Sequence, residues 1–396
     1  MATAVLDVDL SEPSRDVTGL ERYSHALILI RWRGRPAGQT TLAIENGKIE
    51  SARLREAAAD AALPVMRELR LGEYLYLGQS QEADAARPKA TVAVCTRDRT
   101  EDLRRCLEGL MRLPDDGQEF VVVDNHPATD ATRELVREFA RVRYVREDRP
   151  GLNVARNRAL GEARHEIVAF VDDDAVPDSG WLRALAGNFG DPLVMCATGL
   201  TMPLELETEA QEWFQRHSPF GRGFRRVVYD NNTLSPGYAG KVGAGANMAL
   251  RRSVTEQVGL FDEALDAGTP THSGGDNEYF SRILGANFRI VYDPAALVWH
   301  RHRRTWEELR RALYGYGVGV YAAWTRSLVR ERELGVLKVA WSWFRHSQFP
   351  ILARSLLRRP GSLPLDLISA ELRGCVTGPW AYFASRKRLR SEEGSR

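Results

Sequence analysis

The sequence is poor in the features that mark several protein classes. Only four of its 396 residues are cysteine, and Cys95, Cys106, Cys196 and Cys375 show no CxxC spacing. That argues against a structural zinc site or a disulfide framework and favours a reducing compartment. No apolar run approaches the ~20 residues of a membrane span; those at 120–123 and 167–171 hold only four and five residues. The first nine residues hold neither a basic segment nor an apolar core, so no secretory signal is expected. Disorder is excluded by a composition of 43% hydrophobic and 27% charged residues, which is ordinary for a globular protein. Acidic residues are scarce in one region only. Residues 301–396 hold 8 Asp and Glu against 19 Lys and Arg, whereas the remainder holds 45 against 36. A basic tail on a mildly acidic body suggests contact with an anionic surface, although solvated helix faces would give the same count.

What is present divides the chain into three parts, at 1–85, 86–305 and 306–396. Residues 1–20 are polar and read as a mobile lead-in. Two β-rich runs at 26–32 and 39–44 flank a Gly-Arg-Pro-Ala-Gly turn, and 52–71 has helical periodicity, so a small α+β unit is expected. A polar, Ala-rich linker follows at 79–89. From residue 90 apolar strands alternate with amphipathic helices: strands at 90–95, 119–124, 142–145 and 167–171, helices at 100–111, 130–140 and 154–163. That alternation predicts a parallel α/β sheet with right-handed crossovers. Ligands sit at the carboxyl ends of such strands. Thr96-Arg97-Asp98-Arg99, Asp124-Asn125-His126 and Asp172-Asp173-Asp174 are therefore expected to face one crevice. The irregular stretch 201–239 reads as a substrate loop, and 288–291 and 296–300 as closing strands. Beyond residue 305 the pattern is helical, with a terminal Arg386-Lys387-Arg388-Leu389-Arg390 cluster. Such a region suits either a membrane interface or a layer packed on the sheet.

Three consecutive aspartates repel one another and raise each other's pKa. A divalent cation removes the conflict, and hard oxygen ligands select Mg²⁺ or Mn²⁺. A solvated acidic loop or a helix cap is the plainer alternative. The neighbouring motifs favour the metal. Val94-Cys95-Thr96-Arg97-Asp98-Arg99, Val122-Val123-Asp124-Asn125, the 150–157 segment with Ala155-Arg156-Asn157, Val171-Asp172-Asp173-Asp174, Gly243-Ala244-Gly245-Ala246-Asn247 and Gly274-Gly275-Asp276-Asn277-Glu278 occur in this order. Residues 90–300 thereby resemble the family 2 glycosyltransferases, whose GT-A fold is a Rossmann-like, nucleotide-diphospho-sugar transferase sheet.

The resemblance implies the following roles. Thr96, Arg97 and Arg99 cradle the nucleotide, Asp124 bonds the base (typically uracil), and Arg156 contacts the base or diphosphate. Asp172 and Asp174 stand where the family's DxD motif lies, with Asp174 on the metal and Asp172 at the ribose or the metal. Asp173 and Asn247 belong to the nucleotide-sugar site. Asp276 is the general base, with Glu278 as its rival. His300 completes the metal site, with His302 as its rival. The implied reaction is inverting transfer of a sugar from a nucleoside-diphosphate donor, expected to be a UDP-sugar, to a hydroxyl of a glycan, lipid-linked sugar or small molecule. The expected location is cytoplasmic, at the inner membrane face where the basic tail makes contact, with no nucleic-acid partner. A non-catalytic sugar-nucleotide binder is the alternative outside enzymology. A sugar nucleotidyltransferase is disfavoured because 96–100 lacks glycine.

Overall fold

The computed structural model describes residues 2–75 and 88–393. Two sheets organise the described residues. The first is three-stranded, β1 (Thr3–Asp9), β2 (His25–Trp32) and β3 (Arg35–Ala43), with α1 (Ser51–Tyr74) packed on it. The β1 strand corrects the expected mobile lead-in. It runs parallel to β2 from Thr3↔His25 to Asp9↔Arg31. Its alternation is readable in retrospect, because Ala4, Leu6 and Val8 all pack into the core under α1. Apolar Val5 on the other face blurs that period, and Asp7 and Asp9 are poor strand formers. Arg31 bonds Asp7, and Asp9 accepts from the amides of Ser11 and Gly34. The linker expected at 79–89 lies, up to residue 87, outside the described residues.

The second sheet carries the chemistry. Its elements are β4 (Ala90–Thr96), α2 (Thr100–Met111), β5 (Glu119–Asn125), α3 (Ala131–Arg137), β6 (Val142–Glu147), α4 (Leu152–Glu162), β7 (Ile167–Val171), β8 (Ala175–Pro177) and α5 (Trp181–Ala186). They continue through β9 (Val194–Pro203), α6 (Glu209–His217), β10 (Val227–Tyr229), β11 (Asn247–Arg251), α7 (Val254–Val258), α8 (Gly275–Gly285) and β12 (Arg289–His300). The strand order is β10-β12-β9-β11-β7-β4-β5-β6, with β8 added to β12. The β7-β4-β5-β6 half is parallel, whereas β11 pairs antiparallel with both β7 and β9. Strands β4, β5 and β7 are buried on both faces, which is why they read as unbroken apolar runs.

Two expectations change in detail. The closing strands are one strand, β12, whose pairing with β9 shifts between Asp293 and Val298. Pro294 lacks an amide for the ladder and sits in that bulge, where proline is tolerated. The stretch 201–239 is not wholly irregular, because it contains α6. A capping box starts that helix: the Thr208 hydroxyl accepts from the Gln211 amide, and the Gln211 side chain accepts in return from the Thr208 amide.

Helices α9 (Trp306–Arg326), α10 (Gly335–Trp343), α11 (Phe349–Leu356) and α12 (Leu365–Glu393) complete the chain. α12 packs along α9 at backbone distance, and glycine makes this possible. A Cβ at Gly374 would run into the Tyr314 carbonyl, one at Gly378 into the Val318 carbonyl, and one at Gly317 into the Glu371 carbonyl. On the opposite side of α9, Gly319 meets Ser273, next to Gly274 at the start of α8. Each interior glycine costs about 1 kcal/mol of helix propensity, so the close approach offsets that cost. It fixes α9 against the helix that carries Asp276.

Candidate active site

The strand register assembles the polar groups. β4 and β5 run in parallel with Thr96 opposite Asp124, and β7, beside β4, ends where the aspartate triplet begins. After the triplet the chain turns into β8, which pairs with β12 so that His300 faces Ala175. The Arg301 amide donates to the Asp174 carbonyl at 2.8 Å. Asp174 and His300, distant in sequence, are thus held side by side.

The three aspartates have separate environments. Asp173 turns into the protein, accepting from the Thr96 hydroxyl and from Arg99, both at 2.7 Å. Burial, with Asp174 alongside, pushes its carboxyl up to about 7. Burial and the Asp174 charge also raise Asp172, partly offset by Arg156. Burial opposes ionisation of Asp174 too, but His300, Arg303 and Arg99 hold its carboxyl well below the usual range. Its Oδ2 accepts from Arg99 at 2.9 Å and Arg303 at 3.3 Å. Its Oδ1 is buried without a hydrogen-bond partner, although Nε2 of His300 lies 3.1 Å away. Oxygens of Asp172 and Asp174 and a ring nitrogen of His300 lie within 4.8 Å of one another. Two hard carboxylates and an imidazole, with one carboxylate oxygen unsatisfied, fit a divalent cation of the Mn²⁺ or Mg²⁺ type.

His302 stands behind His300. Its Nδ1 is 3.0 Å from Nδ1 of His300, and its Nε2 is 2.9 Å from Oε1 of Gln215. Burial and the neighbouring His300 lower its pKa well below the ordinary value, which favours the neutral ring. With the proton of that ring on Nε2, donated to Gln215, its Nδ1 accepts from His300. In that arrangement the His300 nitrogen left to bind a cation is Nε2, the one facing Asp174. Phe214 packs against the His302 ring at 4.4 Å and Phe220 against the His300 ring at 5.1 Å.

Asp172 and His300 line a cavity of about 580 Å³ together with Arg156, Asp266, Asp276 and Arg303. Asp276 lies in the first turn of α8. It accepts from the Gly245 amide and from the amide of Asn277, each at 2.7 Å. Gly245 has no room for a Cβ between Arg156 and Asp276. The rival Glu278 is buried in ion pairs with Arg282 and Arg326. Arg156 is buried, bonded to Asn153 and Asp266, and stacked over Phe261.

On the other side of the triplet, Asp124 is fully buried at the end of β5, accepts from the Tyr144 hydroxyl, and leaves Oδ1 without a partner. Burial raises its pKa. Arg97 is half exposed beside Asp98. Two expected ligand contacts do not fit the geometry. The side-chain amide of Asn247 donates to the Leu200 and Ala296 carbonyls and its oxygen accepts from Trp181; it ties three elements together, is fully buried and does not line the cavity. Asp173 is likewise buried, held by Thr96 and Arg99, and outside the cavity lining. Asp266, Gln215 and the His302 relay escape sequence reasoning, since each acquires its partner only through long-range packing.

Comparison with known proteins agrees with this architecture. The sequence model of glycosyl transferase family 2 matches residues 91–259. These residues form a family 2 glycosyltransferase domain. A pre-mycofactocin glycosyltransferase of Mycobacterium tuberculosis is 32% identical over 232 residues, covering 57% of this chain and 46% of its own. The chain thus spans about half the length of that relative. Glycosyltransferase AglE of Haloferax volcanii is 23% identical over 263 residues, 63% of this chain and 79% of its own. Among solved structures, a mannosyltransferase from Pyrobaculum calidifontis in complex with GDP-Man and Mn²⁺ superposes with a TM-score of 0.52 at 18% identity. That alignment covers 80% of this chain and 94% of the other. The fold is GT-A.

Proposed function

We propose that the chain is an inverting, metal-dependent glycosyltransferase that moves a sugar from a nucleoside-diphosphate donor, with UDP the expected nucleotide, to a hydroxyl acceptor. The observation that carries this reading is the Asp172–Asp174–His300 cluster, with its unsatisfied Asp174 oxygen, opening beside Asp276. In this reading the chain has three units, 1–85, 86–305 and 306–396, of which the middle one holds the donor. Asp124 offers its free oxygen to a base N–H. Thr96, Arg97, Arg99 and Arg156 surround the nucleotide and diphosphate.

Asp172, Asp174 and His300 would hold Mn²⁺ or Mg²⁺, which supplies Lewis-acid stabilisation of the diphosphate leaving group when bound. The solved neighbour carries GDP-Man and Mn²⁺ together, which supports a metal with a nucleotide donor and makes guanine the rival to uracil. Arg303, 3.3 Å from Asp174, is placed to donate to the departing diphosphate. Each Asp276 oxygen uses one acceptor position on a backbone amide and keeps another. Asp276 takes the acceptor's proton as that hydroxyl oxygen bonds to the anomeric carbon. The bond to the diphosphate breaks on the opposite face, and its electron pair leaves with the nucleotide. The reading includes a cytoplasmic location with peripheral membrane contact. The test is thermal stabilisation by UDP-, GDP- and dTDP-sugars with and without Mn²⁺. One donor is expected to stabilise the chain only with metal; stabilisation that ignores Mn²⁺ would remove the metal from the account.

A further inference from the structure

The cavity extends well beyond the donor groups, along residues outside the family match. One face of α9 lines it with Tyr316, Val320 and Trp324, at four-residue spacing, and α10 and α11 contribute Trp343 and Ile351. From Tyr316 to Trp324 this wall is about 12 Å long at 1.5 Å per residue. Its hydrogen-bonding groups are few: the Tyr316 hydroxyl on the wall itself, with Ser327, Ser347 and Glu371 elsewhere in the lining. Trp324 already donates its indole N–H to the Gly237 carbonyl at 3.0 Å, and its ring packs edge-on against Trp343 at 5.5 Å. Val320 and Ile351 offer only hydrocarbon. A glycan chain lying here would find partners for only some of its hydroxyls, and each one left unpaired would cost roughly 1–3 kcal/mol. An alkyl or isoprenyl chain would lose nothing.

The same helical segment that closes this wall has a different outer face. Leu334, Leu337, Trp341, Phe349 and Leu356 are 54–70% exposed. Lys338, Arg345 and Arg354 are exposed among them. No Asp or Glu occurs between Glu333 and Asp366, a stretch with five Lys and Arg. α12 repeats the pattern, since Val376, Trp380 and Phe383 are 53–68% exposed in one stripe, flanked by exposed Arg373 and Lys387. Aromatic and aliphatic side chains interleaved with cations, on helices none of which is long and apolar enough to cross a bilayer, match the chemistry of an anionic lipid interface. The terminal arginine cluster is partly spent within the fold, with Arg386 near Asp262 and Arg388 donating to the Gly268 carbonyl.

We infer that the acceptor is a lipid-borne hydroxyl: the outer face of 334–357 rests on an anionic bilayer, and the lipid's hydrocarbon chain lies along Tyr316, Val320, Trp324, Trp343 and Ile351 with its hydroxyl delivered to Asp276. This rests on the glycosyltransferase reading and adds the substrate class. The transfer step is unchanged: the acceptor O–H loses its proton to Asp276, its oxygen bonds to the anomeric carbon, and the nucleoside diphosphate leaves with the electron pair.

The test floats the full chain with vesicles of phosphatidylcholine alone and of phosphatidylcholine with phosphatidylglycerol. Flotation is expected only with phosphatidylglycerol. Trp341→Glu should abolish it, and Lys338→Gln should weaken partitioning roughly fivefold, with nucleotide-sugar binding in solution unchanged for both. Dodecyl β-glucoside should perturb tryptophan fluorescence in the wild type and not in Val320→Asp, and methyl β-glucoside in neither. The inference is overturned if the chain fails to float, floats regardless of phosphatidylglycerol, is retained by nucleic acid instead, or binds both glucosides alike. Donor binding without vesicles tests the glycosyltransferase reading separately. A chain that floats but binds no donor refutes that reading, and the acceptor role with it, leaving only the bilayer contact; one that binds donor but neither floats nor takes the dodecyl glucoside refutes only the lipid acceptor.

Discussion

Replacing Gln215 with leucine tests the site at a residue that touches no substrate. The Gln215 oxygen, 2.9 Å from Nε2 of His302, decides which nitrogen of that neutral ring carries its proton, and through the 3.0 Å contact it decides the same for His300. Leucine keeps most of the side-chain volume and removes the acceptor. The direct loss is one hydrogen bond, about 1 kcal/mol. The larger effect falls on the metal, because His300 must then hold Nε2 free without support. Loss of such an outer partner costs about 10- to 100-fold in affinity, or roughly 1.4–2.7 kcal/mol. Titration of the full chain with Mn²⁺, followed by the electron paramagnetic resonance of the free ion, measures this directly. Asp174→Asn, which alters a direct ligand, should cost more than Gln215→Leu. A folded Gln215→Leu protein that binds Mn²⁺ as tightly as the wild type would refute the relay.

Asp276→Asn should leave donor and metal binding intact and lower transfer by about 10²- to 10⁴-fold, measured as turnover beside donor affinity. At Gly319, alanine gains about 1 kcal/mol of helix propensity but collides with Ser273. Overpacking of about 1–3 kcal/mol outweighs the gain, so thermal melting should show net destabilisation. Asp124 gives a pH dependence. Its folded pKa is raised above the ordinary 3.8 by burial, so the folded state holds that proton longer than the unfolded one. Its contribution to stability therefore falls as pH rises from about 3.8 through the raised value. Asp124→Asn should flatten that part of a melting-temperature profile and weaken nucleotide binding.

Sequence reading succeeded where the physics is local. Strands buried on both faces appear as apolar runs, and the polar residues after β4, β5 and β7 stand at adjacent strand ends because parallel crossovers leave them no other place. It failed where partners are remote or a local signal is short. β1 hides behind Val5, Asp7 and Asp9, and α6 was announced only by the Thr208 and Gln211 capping box. Asn247 looked like a ligand-facing residue in a glycine-rich turn, yet β11 turns it inward between β7 and β9. Nothing local distinguishes His300 from His302; the β8–β12 register and Gln215 do.

The most direct measurement is release of nucleoside diphosphate from a panel of nucleotide-sugars by the wild type, Asp174→Asn and Asp276→Asn, with Mn²⁺ and with chelator. The account predicts release from one donor by the wild type with Mn²⁺, none with chelator or from Asp174→Asn, and donor binding without release from Asp276→Asn. Release by Asp276→Asn at the wild-type rate, or a wild type that neither binds nor consumes any donor in Mn²⁺, would contradict it.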